Sequence, residues 1–280
     1  MEICRYRLNK DVKQNELLNF GNGRFYDAEW IERTDQPICL LTLSETAEYE
    51  AELYLELKIH PHITHTFGLV IHNEPSIMLV QERAPHGDLQ GLIQHENFSP
   101  SIAVLVTIMS QIIEGMVHIT NNGIVHGDLC CSNILVFKKN ESEPLENLVK
   151  ITNFSASRPK DQNDLENSEL FDTYSMGLLM LELLSKGSLT HDNTDNNQEL
   201  SRPVGCPELL WIIIQSCLVK NACLRSDFKY LKEAFSKDHI RLIPSIHCDL
   251  CNTMISENKI ESHRVSLSIR FKLNLSITFH

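Results

Sequence analysis

The chain changes character at one point. Up to about residue 83 its apolar residues come in short runs of the strand type: Phe25/Tyr26, Trp30/Ile31, Ile38–Leu43, Phe67–His72 and Ile77–Glu82. One stretch there, 44–59, has helical spacing instead, with Tyr49, Leu53 and Leu57 forming a stripe, Ser44 as a candidate cap and His60-Pro61 as the stop. Beyond Gly87 the pattern turns helical, over Ser101–Thr120, Phe171–Ser185, Pro207–Val219 and Ser226–Ser236, with a loop and hairpin at Gly123–Lys139. Stretches 159–169 and 188–201 are polar and loop-like, and no internal repeat is present. The fold class is therefore α+β. A small β-rich lobe with one helix (about 5–83) is followed by a larger α-helical lobe (about 87–236), and 237–280 form a tail.

Composition narrows the function. The net charge of −12 lacks the basic footprint that nucleic acids require. The nine cysteines are an odd, scattered set, as expected of reduced thiols in a reducing compartment. MEICRYRLNK has no apolar core of a signal peptide. The apolar runs Ser101–Met109 and Met176–Leu184 are too short to span a bilayer. The expected setting is cytoplasmic, with a protein partner, no nucleic acid and no membrane span.

The most specific segment is His126-Gly127-Asp128-Leu129-Cys130-Cys131-Ser132-Asn133-Ile134-Leu135-Val136, set between a long helix and a hydrophobic hairpin. It resembles the protein-kinase catalytic loop H-R-D-L-x-x-x-N in its tyrosine-kinase form. The resemblance implies Asp128 as the base for a substrate hydroxyl and Asn133 as a magnesium ligand. Other segments follow in the family's order: Gly21-Asn22-Gly23 as the glycine-rich loop, His60-Pro61-His62-Ile63 as the turn after the N-lobe helix, and Leu79–Leu89 as the last N-lobe strand and the hinge. Asn153-Phe154-Ser155 stands at the D-F-G place, Asp172–Gly177 opens the central C-lobe helix, and Arg202-Pro203, Cys206–Glu208 and Arg225 resemble the C-terminal helices. By the same resemblance, Glu82, Arg83 and Ala84 of the hinge, with Gln81 before them and Leu18, Ala28 and Leu135 as apolar walls, would hold adenine. The closest likeness is to the pseudokinase domain of Janus kinases, on Val80-Gln81-Glu82, His126-Gly127 and the Lys138–Asn147 insert.

The departures carry the functional expectation. The lysine of V-A-I-K aligns at Leu41, the glutamate of the N-lobe helix at Ala51, the D-F-G aspartate at Asn153, the H-R-D arginine at Gly127 and the third loop glycine at Tyr26. A buried Lys–Glu pair is costly to halve but can be replaced by two apolar groups without penalty. Glu50 or Glu52 would reach the helix position by a one-residue slip, but without a lysine opposite. Asn153 offers magnesium an oxygen without a charge, so Asn133 and Asn153 make a weak magnesium site at best. Nineteen positions separate Asn153 from Asp172, short for an activation segment, and no A-P-E triplet occurs. His126, Phe154 and Leu55 fall where the family stacks its regulatory spine.

In the tail, Cys248, Cys251 and His263 resemble three ligands of a zinc finger, with stray cysteines as the preferred alternative. Three functions compete. The favoured one is a catalytically impaired, tyrosine-kinase-like pseudokinase that regulates or scaffolds a kinase or receptor supplied in trans. The second is a weakly active ATP-dependent protein (tyrosine) kinase in which Lys58 or Arg24 replaces the lysine. The third is a zinc-linked adaptor. ATP binding is expected to be weak, metal-independent or absent.

Overall fold

The structure is a computed structural model that describes residues 4–20, 24–32, 36–43, 48–57, 59–71, 77–95, 98–160, 169–187 and 201–236. The N-terminal lobe is a six-stranded sheet with one helix against it. Its strands are β1 (Arg5–Arg7), β2 (Val12–Leu17), β3 (Phe25–Trp30), β4 (Ile38–Thr42), β5 (Thr66–Ile71) and β6 (Met78–Glu82), in the order β1-β5-β6-β4-β3-β2. Neighbours run antiparallel except β1, which adds to β5 in parallel. That edge pairing needs a glycine, because a Cβ on Gly68 would lie 2.2 Å from the Cys4 carbonyl oxygen.

Both faces of β4 are covered, which is why Ile38-Cys39-Leu40-Leu41 reads as an unbroken apolar run. Ile38 and Leu40 join Val12, Ala28, Val70, Met78 and Val80 on the outer face, where Tyr6, Trp30 and Phe67 pack over them. Cys39 and Leu41 face the inner side with Phe25, Leu79 and helix α1 (Glu48–Glu56).

The C-terminal lobe is built around α3 (Ile102–Asn121) and α4 (Glu169–Leu184), with α2 (Leu89–Ile93), α5 (Glu208–Cys217) and α6 (Phe228–Ser236) packed about them. Ser101 caps α3 by accepting the Val104 N–H at 3.3 Å. At 20 residues α3 is long and apolar enough to cross a bilayer, more than the run 101–109 suggested. Here it is a core helix, with residues from Val104 to Ile119 buried against α6 and β9. Two small ribbons complete the lobe: β7 (Ile124–Val125) with β10 (Arg158–Pro159), and β8 (Ile134–Lys138) with β9 (Leu148–Ile151).

The lobes are joined through β9. Ile151 N–H donates to the His62 carbonyl and Thr64 N–H to the Ile151 carbonyl, each at 3.0 Å. Glu82, on the connecting strand, pairs with Lys150 at 2.6 Å and accepts the His65 N–H at 2.6 Å. This is the two-lobed α+β fold that the motif order implied. The seven cysteines among the described residues are free thiols.

Candidate active-site cleft

The site lies between the lobes, where β3, β4 and α1 meet the 126–133 loop and the 152–155 segment. Asp172, in the first turn of α4, is fully buried and accepts the backbone N–H of His126 at 2.7 Å and of Gly127 at 2.8 Å. Burial pushes its carboxyl pKa up against the pull of His126 and these two donors. The loop is thus pinned from below, and Asp128 is left exposed at its tip. Asn133 Nδ2 donates to the Asp128 carbonyl at 2.7 Å and to its Oδ2 at 2.9 Å. Both expected loop residues therefore sit together, bonded to each other.

Gly127 has φ +82°, and a Cβ there would lie 2.4 Å from the Ala156 carbonyl oxygen. The guanidinium of Arg158, from the following segment, occupies the adjoining space over the Phe171 ring. Beyond it, β10 pairs with β7, and Lys160 meets Glu169 at 2.9 Å.

Asn153 takes the left-handed conformation (φ +64°), which asparagine tolerates better than most residues. Its amide is fully used. Oδ1 accepts Arg24 Nη1 at 2.8 Å and Ser155 Oγ at 2.7 Å, while Nδ2 donates to Asn133 Oδ1 at 3.0 Å and Asp128 Oδ2 at 3.3 Å. The reverse orientation would set NH₂ against a guanidinium and oxygen against two oxygens, so the network fixes which end points where. Magnesium demands a near-octahedral set of oxygens. At this corner both candidate ligand oxygens are taken: the Asn153 N–H₂ group points at Asn133 Oδ1, and the Arg24 guanidinium and Ser155 hydroxyl hold Asn153 Oδ1. The residues present do not fit a magnesium ion.

The cation is one of the two weighed as replacements for the missing lysine. Arg24, just ahead of β3, reaches Glu50 with Nη2 (2.8 and 2.9 Å to its two oxygens) and the Thr42 carbonyl with Nε (3.2 Å). Glu50 is 4% exposed. Burial raises its pKa, and the Arg24 charge and hydrogen bonds oppose the shift. The α1 glutamate is therefore present, at Glu50 rather than the expected Ala51, which packs in the core. Counting back from His60 stops one residue short, and the stripe Tyr49, Leu53, Leu57 does not correct it: the buried face is Glu50, Leu53, Tyr54, Leu57, and Tyr49 is 39% exposed. The same one-residue shift moves the spine. Tyr54, not Leu55, meets Phe154 edge-on at 4.9 Å, with His126 at 5.2 Å on the other side. The Tyr54 hydroxyl bonds Thr152 Oγ1 at 3.1 Å and accepts the Asn153 N–H at 2.8 Å. Leu41 lies in the inner-face core beside Phe25, with no charge to offer.

Of the residues expected to hold adenine, Leu135 and Ala84 lie in the inner core and Leu18 packs against it. Ala28 does not: strand alternation puts it on the outer face. Asp27 is the residue opposite Cys39, and its carboxylate pairs with the Arg83 guanidinium, tying the roof to the hinge. The Cys39 thiol, its pKa pushed up to about 12 by burial, donates to the Glu82 carbonyl at 3.5 Å. Gln81 is fully buried and donates to Thr66 Oγ1 at 2.9 Å. Phe20 packs on Phe25 (centroids 5.4 Å apart) and lies over Gly87. Arg225 caps the carbonyls of Val219, Lys220 and Leu170 and covers the Tyr174 ring. Gly21, Gly23, Lys58, Cys248, Cys251 and His263 lie outside the described residues. Among the described residues no group of His, Cys, Asp and Glu is arranged to hold a metal ion.

Comparison with known proteins agrees with this architecture. The chain is 23% identical to the human receptor tyrosine-protein kinase erbB-4 over 84% of its length, covering 21% of that protein. It is 25% identical to the rat tyrosine-protein kinase Fer over 75% of its length (29% of Fer), and 22% identical to the Drosophila tyrosine-protein kinase Drl over 86% (44% of Drl). It thus spans less than half the length of each. The family profile for protein tyrosine and serine/threonine kinases, whose members in general use ATP and magnesium, matches residues 22–171. With the lobes, the pinned loop and the spine in place, the chain belongs to the protein tyrosine and serine/threonine kinase family.

Proposed function

We propose that this domain is a pseudokinase, a tyrosine-kinase-like fold that has given up phosphoryl transfer and serves as a regulatory or scaffolding module for a protein partner, a kinase or receptor acting in trans in the cytoplasm. The observation that carries this is the saturated Asn153 amide. It donates to Asp128 and Asn133 and accepts from Arg24, so the would-be metal ligands are bonded to one another. Losing one preorganised electrostatic group costs about 10²–10³ in rate. Here the lysine, the metal carboxylate and the H-R-D arginine are all replaced. The likeness to Janus pseudokinase domains at Val80-Gln81-Glu82 and His126-Gly127 supports the same reading.

In the adenine half, Asp27 pairs with Arg83, the Cys39 thiol bonds the Glu82 carbonyl and Phe20 lies over Gly87, so these groups are engaged with one another. ATP binding is accordingly weak or absent and gains nothing from magnesium. One observation favours a residual kinase instead: Arg24 gives Glu50 a cation partner, so the Lys–Glu pair has a substitute. Incubation of the full chain with labelled magnesium–ATP and tyrosine, serine and threonine peptides decides between them. No labelling above the Asp128→Asn background is expected. Labelling that disappears with Asp128→Asn would establish a kinase.

A further inference from the structure

We propose that Arg24 is a built-in counterion that holds α1 and the 152–155 segment in the assembled arrangement without any nucleotide. It takes the place that a lysine and a metal ion share in an ATP-dependent kinase cleft. The inference deepens the pseudokinase reading and rests on it for its biological meaning.

The geometry needs an arginine. Four bonds leave one planar guanidinium toward three separate elements: Nε to the Thr42 carbonyl at the end of β4, Nη2 to both oxygens of Glu50 on α1, and Nη1 to Asn153 after β9. A lysine has three donors on a single nitrogen and cannot present this fork. The backbone brings the group to the right corner. Phe25 pairs with Leu41 across the β3–β4 ladder, and the Thr42 N–H donates to the Arg24 carbonyl at 2.9 Å. A side chain from residue 24 therefore approaches the corner that a lysine at 41 would have reached from β4.

The charges close locally. Arg24 is balanced by Glu50, and the remaining negative charge, on Asp128, receives amide N–H groups from Asn133 and Asn153. A divalent ion entering here would have to expel Arg24, stranding a carboxylate that is 4% exposed. From Glu50 the constraint passes one helical turn to Tyr54, whose hydroxyl accepts the Asn153 N–H and whose ring meets Phe154. One residue thus fixes helix, spine and segment together. The conformation that Lys, metal and nucleotide assemble in an active kinase becomes a permanent surface.

Hydrogen exchange on the full chain, read by mass spectrometry, tests this. Without nucleotide, α1 (Glu48–Glu56) and 151–155 are expected to be protected, and magnesium–ATP should not change them. Arg24→Ala should speed exchange in both segments by about 10²–10³-fold, the scale of a broken, largely buried ion pair, while α5 stays unchanged. Arg24→Lys should fall between, and it serves as the readout if the alanine variant does not fold. Adding Leu41→Lys to either variant should restore protection, which a merely space-filling role for Arg24 would not allow. Unaltered α1 exchange in Arg24→Ala, absence of rescue, or protection of wild-type α1 only with magnesium–ATP would overturn the proposal. Peptide labelling together with Arg24-dependent protection would sink the pseudokinase reading and leave the counterion. Arg24-independent protection without labelling would do the reverse.

Discussion

Tyr54→Phe removes one oxygen and tests the register on which the cleft depends. The ring stays, with its edge-on contact to Phe154 at 4.9 Å, so packing is unchanged. What goes is the acceptor for the Asn153 N–H (2.8 Å) and the partner of Thr152 Oγ1 (3.1 Å), in a place where Tyr54 is 4% and Thr152 1% exposed. Water cannot replace the hydroxyl, so the cost is that of buried polar groups left unpaired, about 2 kcal/mol. For a domain of this size that lowers the melting temperature by about 4–8 °C. Leu55→Ala is the control. Leu55 is only partly buried, so its truncation should cost about 1 kcal/mol or less, offset by the helix propensity of alanine. Thermal melts by circular dichroism rank the two. If Leu55 held the spine, the order would invert: Leu55→Ala would cost about 2–5 kcal/mol and Tyr54→Phe would fall within about 0.5 kcal/mol of wild type. That inverted order would refute the register.

Lys150→Met should destabilise by about 3–5 kcal/mol in urea melts, because Glu82 is left charged and largely buried, and Lys150→Met with Glu82→Gln should recover most of the loss. Gly127→Arg, which restores the family's residue, should lower the melting temperature rather than gain function, since its Cβ meets the Ala156 carbonyl oxygen at 2.4 Å in a left-handed backbone. His60 stacks on His118 (4.6 Å), and burial, then His118, His62 and Lys232, lower its pKa from 6.5 to about 4. The unfolded chain therefore takes up this proton first, and the contribution of His60 to stability is lost as pH falls from about 6.5 to about 4. His60→Asn should flatten that fall in a pH series of melts. Glu50 and Asp172, whose raised pKa values act in the opposite direction, cancel in the comparison.

Much of this site is written in local sequence. His126–Val136 declares itself through its resemblance to the kinase catalytic loop and its place between a long apolar helix and a hairpin, and Asp172 follows from the family's order of motifs. The α1 register was not legible. Apolar periodicity places Tyr49 inward and cannot see that Glu50 is buried, because its partner lies 26 residues upstream in another element. Arg24 gave no signal beyond its charge, and weighing it as a substitute cation fell short of the four bonds it makes. The face of Ala28 is not legible from its apolar character, because the pleat that sets it depends on the pairing with Ile38. Strand β1 and helix α2 went unread because a three-residue and a five-residue element carry too little pattern to stand out.

The central claim is that the cleft is satisfied internally and has no place for a metal–nucleotide. Isothermal titration calorimetry of the full chain with ATP, run with magnesium and again with a chelator, tests it most directly. The account predicts that magnesium adds no affinity and that no saturable heat appears at micromolar ATP. Saturable, magnesium-dependent binding with a micromolar Kd would contradict it.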